Sequence, residues 1–115
     1  MTPMMIWTAW NNGKHHLTGA GYGLKVSAED RDRHFNPAWR SVSVELPICY
    51  GFIVAEVNVG KESFWGPTCR ERISAEIGRW MISNQYAPWK DDLPPKFNAE
   101  ALGGARFRVN SRRAA

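Results

Sequence analysis

Two neighbouring stretches alternate apolar and polar residues with a period of two, and they set the class of fold open to this chain. In 41–46 (SVSVEL), Val42, Val44 and Leu46 fall on one face and Ser41, Ser43 and Glu45 on the other. Pro47 is expected to end that strand. After a loop closing near Gly51, the β-rich segment 52–59 reads as its hairpin partner. Ile53, Ala55, Val57 and Val59 share one face of that segment. Phe52 and Val54 occupy the other, which predicts a strand covered on both sides at its start, or bulged.

Shorter candidates surround this hairpin. Residues 6–10 (IWTAW) form one strand and 21–26 (GYGLKV) another, with Tyr22, Leu24 and Val26 on one face. Gly21 and Gly23 then leave a bare strip of backbone that an aromatic neighbour could cover, because glycines within a strand mark close approach. Two last strands, at about 97–102 and 105–109, flank the turn Gly103-Gly104.

Helical period appears twice. Ser27 with Asp30 gives a capping spacing that opens a short helix at about 28–35, ended by Asn36-Pro37. Cys69, Ile73, Ile77, Trp80 and Met81 recur at steps of three and four, predicting one long helix over about 68–84 that starts at Pro67-Thr68. Gly78 costs such a helix ~1 kcal/mol relative to alanine, and close helix–sheet contact is the expected reason. Together these elements predict an α+β domain spanning 1–109. Its antiparallel or mixed sheet has about five to six strands and carries the long helix on one face. A short basic tail, 110–115, follows it.

Composition narrows the function classes. With 43% hydrophobic and 23% charged residues the chain is globular rather than disordered. Two cysteines are too few for a secreted disulfide framework. The apolar start is interrupted by Asn11-Asn12-Gly13 before a signal-peptide core forms, and no apolar run reaches the ~20 residues that span a bilayer. A cytoplasmic protein without membrane contact is the expectation. The formal charge of +4 is unevenly placed. The first 104 residues hold eleven basic and eleven acidic side chains, whereas Arg106, Arg108, Arg112 and Arg113 follow with no acid among them. This excludes a histone-like chain, in which positive charge is spread throughout.

That arginine stripe is the strongest candidate site. The strand period turns Phe107 and Val109 inward and Arg106 and Arg108 outward, with Arg112 and Arg113 continuing the basic surface. Planar guanidinium groups on a packed strand suit phosphates or carboxylates. The first functional expectation is therefore a non-enzymatic protein that engages nucleic acid or a nucleoprotein complex through these four arginines. The alternative is a protein-binding inhibitor or adaptor of the kind phages and mobile elements encode. It would meet an acidic protein surface with the same arginines and use Trp65 and Trp89 as anchors. The bland readings are a solubilising basic end and loop tryptophans that plug the core.

Catalytic and metal constellations are weaker. Gly19-Ala-Gly-Tyr-Gly23 runs into a strand rather than a helix and lacks the Walker lysine, so packing explains it better than phosphate binding. His15, His16 and His34 with Asp30 and Asp32 offer one i,i+4 pair but no convergent set of three, so no metal ligand is assigned and no cofactor is expected. Cys69 would sit in the first turn of the long helix beside Arg70 and Arg72, where a thiol is acidified, yet it also begins the apolar stripe. A small enzyme centred on Cys69 or the histidines is the third and least supported class. No catalytic residue is assigned. The basic strand also lacks the Lys/Arg-Gly-Phe/Tyr pattern of an RNA-recognition motif.

Overall fold

A computed structural model describes residues 4–68 and 70–112, with 111 and 112 described by backbone alone. Seven strands form one mixed sheet curled into a half-barrel. In chain order they are β1 (Met4–Asn11), β2 (Tyr22–Lys25), β3 (Ser41–Ile48), β4 (Gly51–Asn58), β5 (Glu71–Ile73), β6 (Lys96–Ala101) and β7 (Arg106–Arg112). Across the sheet the order is β4-β3-β7-β6-β1-β2-β5, antiparallel throughout except for the parallel pair β3–β7. Two helices, α1 (Ala28–His34) and α2 (Ala75–Ser83), and a 3-10 turn at Glu62–Trp65 complete the α+β domain.

The alternating patterns build the inner face. Met5, Trp7 and Ala9 of β1, Val42, Val44 and Leu46 of β3, Ala55 and Val57 of β4, Phe97 and Ala99 of β6, and Phe107 and Val109 of β7 are all buried. At their centre Phe107 stacks on Phe35 with ring centroids 4.6 Å apart, and Trp7 and Trp39 close on it at 5.5 and 6.2 Å. A second group joins Trp80, Tyr86 and Phe97 at 5.0–5.3 Å. Burial of these rings supplies most of the driving force, since each removes a large apolar area from water.

The short helix forms as its caps dictate. Ser27 accepts a hydrogen bond from the Asp30 amide, and the extended Phe35 ends it. The long helix over 68–84 does not form. Residues 71–73 are instead β5, an edge strand paired with β2 through Gly23↔Ile73 and Lys25↔Glu71. The helix starts only at Ala75, where the Ser74 hydroxyl accepts from the Ile77 amide 3.2 Å away. Ile73 is consequently exposed, whereas Ile77, Trp80 and Met81 keep the buried stripe. With β5 added, the sheet has seven strands rather than five or six.

Three further expectations change. Strand β3 runs through Pro47, because its parallel pairing with β7 ends at Glu45↔Arg108 and no ladder hydrogen bond is lost there. The Pro47 carbonyl accepts the Trp80 indole N–H at 2.7 Å. At the start of β4 the register with β3 is continuous, and Phe52 and Val54 are exposed rather than covered. Strand β7 extends to Arg112, so part of the span expected as tail is paired with β6.

The glycines mark backbone contacts. A Cβ on Gly78 would lie 2.1 Å from the Gly19 carbonyl oxygen, so Gly78 serves a close approach of α2 to the 16–21 loop rather than to a strand, while Trp80 of the same helix packs on Phe97 of the sheet. Gly23 faces Trp10 across the β1–β2 pair, and a Cβ there would meet the Arg72 carbonyl at 2.0 Å. Among the described residues no helix is long and apolar enough to cross a membrane.

Candidate interaction surface

The register that buries one set of side chains brings the alternate set together on the outer face. Val54, Glu45, Arg108, Glu100 and Met4 lie in one row across β4, β3, β7, β6 and β1. In a neighbouring row Phe52 faces Pro47 and, on the far strands, Asn98 faces Ile6. Met4, Ile6, Phe52 and Val54 are 52%, 36%, 44% and 52% exposed, as two apolar pairs on β1 and β4 with β6, β7 and β3 between them.

Arg106 and Arg108 project onto this face, as the strand period requires. They do not form a bare cationic stripe. Glu45 on the parallel strand takes both: Arg108 donates from Nε and Nη2 to Oε1 at 3.1 and 2.8 Å, and Arg106 Nη2 lies 3.5 Å from Oε2. The Arg108 guanidinium also stacks over the Phe52 ring, 4.4 Å from its centroid. Glu56 accepts from the Ser43 hydroxyl at 2.5 Å. The face is therefore a mixed apolar and charge-compensated surface. Its two described arginines are pre-organised, with an Arg–aromatic stack at its β4 side.

The hydrogen bonds from Arg108, and secondarily the positive charges of Arg108 and Arg106, hold the Glu45 carboxyl below its ordinary 4.5 despite partial desolvation. A carboxylate acidified by folding stabilises the native state above 4.5, and that contribution is lost as the pH falls through its folded value. Urea midpoints measured from about pH 6 to about pH 3 are therefore expected to fall less steeply for Glu45→Gln than for the wild type. Parallel profiles would show that the carboxylate is not linked to folding.

The other candidate residues lie elsewhere. Trp65 is half-buried, with the Arg31 guanidinium 5.3 Å from its ring centroid, and Trp89 packs edge-on against Tyr22 at 5.8 Å. Both tryptophans rest on the core. Cys69 and Arg113 lie outside the described residues, as does the Arg112 side chain. His15 Nδ1 shares a hydrogen bond with the Tyr22 hydroxyl, whose pKa is raised by burial. Among the described residues no group of three or more His, Cys, Asp or Glu is placed to hold a metal ion. A cavity inside the half-barrel, between Trp7, Val44, Phe35 and Phe64, holds about 30 Å³, room for one water.

Sequence reading takes Phe52 and Val54 as covered and assigns no face to Met4 or Ile6. For Met4, Ile6 and Val54 the signal is alternation with a buried neighbour, Met5, Trp7 or Ala55; Phe52, between exposed Gly51 and Ile53, has no such signal. No protein-family model matches the chain, and no curated protein or solved structure matches it, so its function is argued from its own residues.

Proposed function

We propose that this chain is a non-enzymatic protein-binding module, an adaptor or inhibitor, that makes contact through the outer face of its sheet. The observation that supports this most is the pairing of two properties on one surface. Four large apolar side chains stand exposed on it, and Glu45 pairs with both of its described arginines, offsetting one of their two positive charges. An exposed Phe under a stacked Arg, with Met4 further along the same face, matches the residue types enriched in protein contact patches. A phosphate backbone is attracted by uncompensated positive charge, and here Glu45, Glu56 and Glu100 stand among the arginines. Trp65 and Trp89 are half-buried against the core, so the reading rests on the outer face rather than on them.

Capture by the immobilised full chain from nuclease-treated lysate of its own organism tests the reading. Wild type is expected to retain a protein partner that Ile6→Asp loses by at least about tenfold, a difference of ~1.4 kcal/mol, with an unchanged circular dichroism spectrum. Equal retention by the variant would overturn the outer face as the contact surface.

Nucleic-acid binding is the second reading, and one observation favours it. The Arg106 side chain is 61% exposed and neighbours the Arg108–Phe52 stack, an arrangement that could hold a phosphate beside a stacked base. Titration with single- and double-stranded oligonucleotides at ~50 mM salt decides it, since phosphate contacts are strongest there. The absence of saturable binding would remove this reading.

A further inference from the structure

Strand β4 is an edge strand of eight residues with one hydrogen-bonding side open. The Val59 amide donates to the Arg40 carbonyl at 2.9 Å, and the β3–β4 register is unbroken. In an antiparallel ladder the bonding direction alternates residue by residue. The amides and carbonyls of the odd-numbered residues of β4 therefore face β3, and those of Phe52, Val54 and Glu56 face outward. Edges of this length are normally blunted by lysine, proline or a bulge. Strand β4 (GFIVAEVN) has none of these, and its first four residues are all exposed.

The chemistry of the strand selects its occupant. Glu56 is the one charged residue in β4, and the Arg108 guanidinium lies over Phe52, four residues earlier. In an antiparallel pair of identical strands related by a two-fold axis, residue i faces residue j with a constant sum. An axis through Val54 sets Glu56 of one copy opposite Phe52 of the other. Each acid then lies beside a ring that carries an arginine, twice by symmetry. Val54 meets Val54, and the two Glu56 side chains are kept at opposite ends.

We propose that two copies of this chain associate through antiparallel pairing of β4 with β4 about an axis at Val54, which joins the two sheets into one. The proposal shares Phe52, Val54 and Arg108 with the outer face, but its readout is the association state of the purified chain, which the function proposed above does not require.

Sedimentation equilibrium on the purified full chain tests it. The wild type is expected to behave as a dimer of the 13.1 kDa chain. Val54→Lys and Val54→Glu each place like charges directly opposite one another across the axis, and each is expected to weaken association at least about tenfold. An equimolar mixture of the two variants should recover the dimer, because opposite charges then meet. Position 54 is exposed, and recovery in the mixture would itself show that both variants are folded. A wild type that remains monomeric up to about 1 mM overturns the proposal. So do single variants that dimerise as well as wild type, or a mixture that stays monomeric.

Discussion

Replacing Phe107 by alanine is expected to destabilise the domain by about 3–5 kcal/mol, the usual cost of deleting a fully buried aromatic side chain. The ring has no exposed surface, stacks on Phe35 and is closed in by Trp7 and Trp39. These neighbours come from β1, α1's C-cap and the loop before β3, so the cavity left behind has three separate walls. Collapse around it would require several elements to shift at once, which places the cost in the upper part of that range. A domain of this size has roughly 5–15 kcal/mol to lose. Urea unfolding monitored by tryptophan fluorescence would read the change as a lower midpoint at constant slope. A loss below about 1 kcal/mol would show that β7 is not at the centre of the core.

The second large effect belongs to Arg31, a charged residue only 7% exposed. Its Nη1 donates to the Phe64 carbonyl at 2.9 Å and to the Gly66 carbonyl at 2.7 Å, and its Nε to Asp32 at 3.0 Å. The guanidinium therefore ties α1 to the 3-10 turn 33 residues away and lies against the Trp65 ring. Asp32 is largely solvated and adds little. The two carbonyls matter more, because hydrogen bonds to a charged donor are strong and the buried Phe64 carbonyl would be left unmet. Arg31→Met is expected to cost about 3 kcal/mol. Arg31→Lys should recover only part of that, since an ammonium can serve the two carbonyls that Nη1 meets but cannot also keep the Nε bond to Asp32 and the flat packing on Trp65. Equal stability of the Lys variant and wild type would show that charge alone is needed at this position.

Much of the fold was legible because its strands alternate cleanly. The buried sets of β1, β3, β6 and β7 follow from a period of two, and α1 follows from Ser27 and Asp30. Strand β5 was not legible. It has three residues, and Ile73 sits four positions before Ile77, so the helical stripe absorbed it. Ser74, which caps α2, was the competing signal. Pro47 misled in the opposite way, since its missing amide is harmless where the parallel ladder has already ended.

The surface was legible in its parts but not in its assembly. Alternation places Glu45 outward on β3 and Arg108 outward on β7. Only the parallel pairing of strands 63 residues apart brings them within 2.8 Å. No local pattern encodes that register. This is why Arg106 and Arg108, which in the sequence belong to a stripe of four arginines, stand beside Glu45 on a mixed face.

The central claim is that this outer face contacts a protein. A photo-crosslinking amino acid at Asn98, near the middle of the face, tests it most directly, with one at Leu17, an exposed residue of the loop between β1 and β2, as control. After irradiation in nuclease-treated lysate, position 98 is predicted to give a discrete protein adduct that position 17 does not. Adducts at 98 that appear only without nuclease and contain nucleic acid would contradict the account, as would adducts equal at both positions.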